Sequence, residues 1–260
     1  MIERPRLGTL LRAGALVAAL ALVPMAAQAD DPAAHPAADP KVVLELFTSQ
    51  GCSSCPSADA LLGELSDTRD DVVALSFHVD YWDYIGWEDP FASAETTARQ
   101  RAYAKSLGIA YVYTPQLVVD GAHHVVGSRR DDVRNAIAAS KTVKARRVPV
   151  TLATTASGGI AIEIGADDSY YGSARIMLVA IDRAHTTPVD AGENRGRTLT
   201  NYNVVREFQS IGRWTGGATS LELGPESTKG LGDGCAVLVQ QGWEGHGRIL
   251  GADLLWLDGV

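Results

Sequence analysis

Cysteine is scarce in this chain. Cys52, Cys55 and Cys235 are the three among 260 residues. A small exported scaffold held together by disulfides carries more, so a stapled framework is excluded. A closed metal site built from two Cys-x-x-Cys motifs is excluded as well. Net positive charge is lacking too: the formal charge is −8, which removes any electrostatic reason to hold nucleic acid or anionic lipid. After Ala26 no long apolar run occurs, so nothing downstream predicts a membrane span, which takes ~20 apolar residues.

What is present begins with an address. Arg4, Arg6 and Arg12 precede an apolar stretch, Ala13 to Ala26, and Ala27-Gln28-Ala29 has the small-x-small form of a signal peptidase site. Residues 1–29 are expected to be a signal peptide, making the protein periplasmic or secreted and not inserted in the membrane after cleavage. Cleavage removes three arginines and Glu3, moving the net charge to −10. Residues 30–40, with prolines at 32, 36 and 40 and no hydrophobic period, read as a disordered linker.

Residues 41–143 alternate strand and helix patterns. Val42–Phe47 is a nearly continuous apolar run that fits a buried strand. Ala58, Leu61, Leu62 and Leu65 fall on one helical face. In Val72–Asp80, Val73, Leu75, Phe77 and Val79 alternate with Val72, Ala74, Ser76 and His78. An aromatic insertion follows, then a helix with Ser93 as N-cap and Gly108 at its end. A hairpin turning at Asp120-Gly121 and a last helix complete the unit. The order β-α-β-α-β-β-α predicts a mixed four-stranded sheet with helices on both faces, its first two strands parallel. Residues 144–260 change texture: alternating runs punctuated by glycine predict a β-rich, sandwich-like second domain.

The chemistry centres on "GCSSCP". The pattern places Cys52 where the first strand ends and a helix begins. First-turn N–H groups and the helix dipole there favour thiolate. Cys55, one turn deeper, is expected to be shielded. An exposed nucleophile with a buried resolving partner is what thiol–disulfide exchange requires. Thr114-Pro115 stands at the start of the third strand, beside the first. A cis bond there presents the Thr114 backbone to an incoming peptide.

Cys-x-x-Cys at a strand–helix junction with Thr-Pro before a third strand resembles the thioredoxin superfamily. More closely, "ELFTSQGCSSCPSAD", "LSFHVDYWDYIGWEDPF", "RQRAYA", "VYTPQLVVDG" and "GENRGRTLTNYNVV" resemble a secreted bacterial family known as domain of unknown function 1223 (DUF1223). The resemblance implies a thioredoxin-like α/β domain and export. It leaves the substrate open, and it departs from typical thioredoxins in having Ser53-Ser54 between the cysteines and Gly51, not Trp, before them.

The residues together point to a thiol–disulfide oxidoreductase acting on protein thiol or disulfide clients, with Cys52 and Cys55 catalytic and no cofactor or resident metal required. Thr114, Pro115, Trp82 and Asp80 are the expected substrate-binding residues. Two other readings use the same cysteines: a periplasmic copper or zinc chaperone drawing on His78 and Asp80, and a binding module whose disulfide is structural. Cys235 opens an apolar strand and reads as a buried, inert thiol. Glu193, Asn194, Arg195 and Arg197 cluster in a Gly-flanked loop that is either a solvated turn or a wall facing the cysteines.

Overall fold

The computed structural model describes residues 1, 39–142, 147–242 and 246–257. The expected signal peptide, nearly all of the linker and the segment at the expected domain boundary lie outside the described residues.

Strand β1 (Val42–Thr48) runs into the cysteine turn and then helix α1 (Pro56–Thr68). Strand β2 (Val72–His78) returns parallel to β1, pairing Val42 with Val72 through Thr48 with His78. A 3-10 turn (Asp80–Ile85) carries the aromatic insertion, and α2 (Ala94–Ser106) follows. Its N-cap is Ser93, whose side chain accepts from the Thr96 N–H, as the sequence predicts. Strands β3 (Gln116–Val119) and β4 (His123–Val126) form the hairpin, with Asp120 and Gly121 both at positive φ, and α3 (Arg130–Thr142) closes the segment. Antiparallel pairing of β3 with β1 sets the order β2-β1-β3-β4. Helices α1 and α3 share a core with Leu44, Leu46 and Leu117, and α2 packs against the opposite face through Tyr103.

The remaining elements are β5 (Val150–Thr154), β6 (Ile160–Ile164), β7 (Ala174–Pro188), β8 (Thr198–Trp214), β9 (Thr219–Leu223), the single turn α4 (Pro225–Thr228), β10 (Gly234–Gln241) and β11 (Ile249–Trp256). The β-rich texture is as expected, but its strands do not form a separate sandwich. Strands β7, β8, β10 and β11 extend the first sheet to eight strands, ordered β11-β10-β7-β8-β2-β1-β3-β4. A second sheet of three strands, β5-β6-β9, packs on one face of this extension. The fold is therefore mixed α/β, with one large mixed sheet and one small antiparallel sheet.

Two features make the sheet continuous. At the β2–β8 seam, Ser76 pairs with Val204, and Asn203 turns to positive φ so that its Nδ2 donates to the Ala74 carbonyl at 2.8 Å. A side-chain amide thus substitutes for a missing backbone donor. Tyr202 lies flush on α1 at Gly63, where a Cβ would come within 2.5 Å of its ring. Below the seam, Arg99 of α2 pairs with Glu45 of β1 at 2.6 Å and donates to Gln240 of β10 at 3.1 Å, with Phe77, Tyr103 and Phe208 around its guanidinium. Arg99 and Glu45 are both fully buried, so each depends on the other for its charge.

Candidate functional site at the cysteine pair

The structure corrects the start of α1. The sequence reading put Cys52 at the helix start, but the helix begins at Pro56 and Cys55 is its N-cap. Proline suits that position because a first-turn N–H has no intrahelical partner to lose. The Cys55 carbonyl accepts from the N–H groups of Ala58 and Asp59. Cys52 instead lies in the preceding turn, closed by Cys55 N–H to Cys52 O at 3.2 Å. The two Cα atoms are 5.5 Å apart and the sulfurs are bonded.

Exposure is corrected too. Cys52 was expected to be open to solvent, yet it is 1% exposed and Cys55 0%. Two segments enclose the turn. Trp82 and Ile85 of the 3-10 turn close on Gly51, where a Cβ would meet each at 3.3 Å. The loop joining β7 to β8 also lies against the turn, Gly192 packing on Ile85, with Asn194 Nδ2 donating to the carbonyls of Gln50 (2.8 Å) and Cys52 (2.9 Å). Glu193 Oε2 accepts from the Ser53 N–H at 2.9 Å, and that bond holds its pKa below the ordinary value. Of the two readings of this loop, the structure selects the wall facing the cysteines.

The Thr114–Pro115 bond is cis, as expected. Trp82 links this loop to the cysteine turn: its Nε1 donates to Thr114 Oγ1 at 2.8 Å while its Cβ packs against Gly51. Trp82, Thr114 and Pro115 therefore belong to one assembly with the cysteines. Asp80 is directed elsewhere. Its Oδ1 accepts from Thr97 Oγ1 at 2.6 Å and its N–H donates to the same oxygen, so it ties the 3-10 turn to α2. His78 is also otherwise engaged, bonded to Asp89 at 2.7 Å. Neither completes a ligand set with the cysteines.

Sequence reasoning missed a buried polar cluster beneath the turn. Asp59 follows Cys55 by four residues, so both lie on the same face of α1. Thr48 and His78 end β1 and β2 side by side. Gln50 donates through its backbone N–H to Asp89 Oδ2 (2.8 Å) and through Nε2 to Asn201 Oδ1 (2.9 Å). Thr48, Gln50, Asp59, His78, Asp89 and Asn201 are all buried. Thr48 Oγ1, Asp59 Oδ1, His78 Nε2 and Asn201 Nδ2 have no hydrogen-bond partner among the described residues, an unusual concentration of costly orphans. Thr48 and Asn201 lie beside the Asp59 carboxyl and lower its pKa in part, but too loosely to bond Oδ1.

Burial decides the charges here. Desolvation pushes the Asp59 pKa up to about 7, although nearby His78 pulls it down. The dipole at the start of α1 also favours the carboxylate, by ~0.3–1 kcal/mol, under one pKa unit and too little to compete. Burial lowers the His78 pKa, but the charge and hydrogen bond of Asp89 outweigh it, so His78 stands above its ordinary value. Burial raises that of Asp89, but His78 and the Gln50 and Phe91 amides bring it below the usual carboxylate range. His78 and Asp89 form an ion pair, and Asp59 beside them is poised to hold or release a proton near neutral pH. One signal could have found Asp59: it is an acid on the buried stripe of an amphipathic helix, three residues before Leu62. Gln50, Asp89 and Asn201 carry no such signal.

Cys235 meets its expectation. It is fully buried in the apolar core, and burial pushes its thiol up to about 12.

These features define a mixed α/β protein with a bonded cysteine pair between a strand and a helix, set over buried titratable groups. The chain belongs to the DUF1223 family, described as a protein of unknown function, whose match spans residues 43–240. Among solved structures it is similar to the crystal structure of protein AGR_C_4864 from Agrobacterium tumefaciens, at 35% identity and a TM-score of 0.75 over 85% of this chain and 96% of that one. It also shares its fold with HBP35 of Porphyromonas gingivalis, at 16% identity and a TM-score of 0.60 over 85% of this chain and 76% of that one. No curated protein matches.

Proposed function

We propose that this is an exported, thioredoxin-like thiol–disulfide oxidoreductase whose clients are proteins and whose redox centre is Cys52–Cys55. The observation that carries the reading is the placement of the cysteine pair between the Trp82–Thr114–Pro115 assembly and the buried Asp59.

In the oxidising direction a client thiolate attacks Cys52 Sγ, which lies on the turn outside the helix, followed by exposed Ser53 and Ser54. The Cys52–Cys55 bond breaks and Cys55 leaves with the electron pair. A thiolate at that buried position is costly, and the neutral Asp59 carboxyl gives it a proton. The resulting carboxylate faces His78, whose positive charge favours it. A second client thiolate then attacks the client sulfur of the mixed disulfide. Oxidised client departs, and Cys52 takes the electron pair. In the reducing direction the same steps run backwards, with Asp59 accepting the Cys55 proton.

The test is trapping. Cys55→Ser leaves Cys52 able to form a mixed disulfide that no internal thiol resolves, so client adducts accumulate on reaction with a protein disulfide. Cys52→Ser accumulates none. Equal adduct formation by the two variants, or none by either, contradicts the proposal. A second reading, a structural disulfide, draws support from the burial of both cysteines. Its redox potential would lie below about −300 mV.

A further inference from the structure

The loop between β7 and β8 is a closed unit. Val189 N–H donates to Arg197 O and Gly196 N–H to Val189 O, while Arg195 and Arg197 N–H groups donate to Gly192 and Asn194 carbonyls within the tip. Gly192 and Gly196 stand at φ +70° and +80°, a region other residues enter at a cost. The tip thus has its own internal bonds. Its contacts to the cysteine turn come from two side chains, Asn194 and Glu193, reaching the backbone of Gln50, Cys52 and Ser53. Asn194 is fully buried, its Oδ1 accepting from Arg197 at 2.8 Å. Its amide bridges the two carbonyls that flank Gly51 and Cys52.

We propose that the Gly192–Gly196 tip is a latch on the cysteine pair: Asn194 and Glu193 hold the Gln50–Ser53 backbone in its closed position, and a reductant or client thiol reaches Cys52 only when the tip lifts. With the tip down, Cys52 is 1% exposed, and attack on a disulfide requires open space at the sulfur that is struck. The latched groups are backbone carbonyls and an amide. They persist whether the cysteines are bonded or reduced, so the latch governs the rate of access and not the position of the thiol–disulfide equilibrium. Asn194 and Glu193 are accordingly positioning residues. The consequence for function rests on the exchange reading above; the latch does not.

The full oxidised chain is treated with dithiothreitol at fixed pH, samples are quenched with a maleimide, and Cys52 and Cys55 are followed by mass. Asn194→Ala is expected to be reduced at least ~10-fold faster than wild type, as loss of two buried hydrogen bonds implies. Glu193→Gln, at an exposed contact, is expected to be about 2–5-fold faster. Reoxidation by glutathione disulfide should accelerate in the same proportion while the redox potential stays put. Rates equal to wild type in both variants overturn the latch, and so does a shifted potential with unchanged rates. Should Asn194→Ala fail to fold, Glu193→Gln and Glu193→Ala decide the matter by the same criterion. If the exchange reading alone is wrong, the variants still differ from wild type in reduction rate and no form turns over a client. If the latch alone is wrong, the rates coincide while client turnover persists.

Discussion

The two ends of the large sheet are built on opposite terms. Around β7, β10, β11 and the small sheet, the core is Val150, Ile160, Ile162, Ile176, Leu178, Val237, Val239 and their neighbours, with the thiol of Cys235 among them. Around β1, β2 and α1, the interior holds Glu45, Asp59, His78, Asp89 and Arg99, together with polar atoms that have no partner among the described residues. An apolar core is the cheaper way to stability. The half that carries buried charge is the half that carries the Cys52–Cys55 pair, and this is what separates a scaffold from a candidate site. The apolar half is not a bystander, since the hairpin of its two longest strands supplies Asn194 and Glu193 to the cysteine turn.

The comparison breaks most completely at the sulfurs. Cys52→Ser is expected to abolish client exchange, whereas Cys235→Ala leaves the exchange rate within about twofold of wild type, because burial raises the pKa of that thiol and keeps it protonated and unreactive. Exchange assays on the two variants check this directly.

The next effect is on stability. Arg99→Ala removes the cation from Glu45 and one of the two side-chain links from α2 to Gln240 of β10, leaving that of Tyr103, and is expected to cost about 3–5 kcal/mol. Urea unfolding of the variant measures it. A cost under 1 kcal/mol would mean that the charged half relaxes as easily as a surface.

Asp59→Asn sharpens the comparison by its sign. In the unfolded chain Asp59 titrates near 3.8, and in the folded protein near 7. Between those values the folded protein keeps a proton that the unfolded chain has released, so this group lowers stability as pH rises, until about pH 7. Asparagine cannot ionise. It should therefore be more stable than wild type at pH 8 by roughly 2–4 kcal/mol, with little gain at pH 4. His78, whose folded pKa is also raised, loses its stabilising charge as pH rises in both proteins; Asp59 contributes to that rise, so the difference between them reports Asp59 together with its coupling to His78. Urea midpoints at the two pH values provide the check.

The smallest effect is expected from Trp82→Phe. It keeps the Cβ against Gly51 but loses the hydrogen bond to Thr114, so stability should fall by about 0.5–1.5 kcal/mol and exchange slow a fewfold. Stability by urea and turnover of a protein disulfide measure the two.

Much of the fold was legible because periodicity reports burial. The parallel β1–β2 pair, the Ser93 cap and the Asp120-Gly121 turn follow from local patterns. The joining of both halves into one sheet did not. It depends on Asn203 at positive φ and on the seam at Ser76, and neither changes the hydrophobic pattern. At the site, Cys52, Cys55, Trp82, Thr114 and Pro115 could be named from their motifs. Asp80 was drawn in by its place at a strand end, but its partner is Thr97 on the neighbouring helix. Gln50, Asp89 and Asn201 were invisible because long-range packing, with separations of up to 151 residues, brings them together, while Asn194 could be named in its loop but not its partners. A buried amide looks like any loop residue until its partners are known.

The central claim is that Cys52–Cys55 is a working redox pair. The most direct test is its redox potential, obtained by equilibrating the full protein in glutathione and dithiothreitol buffers and quantifying the disulfide by alkylation and mass. A potential between about −120 and −270 mV, the span of known exchange proteins, is the predicted result. A value below about −300 mV would contradict the claim and make the pair a structural staple.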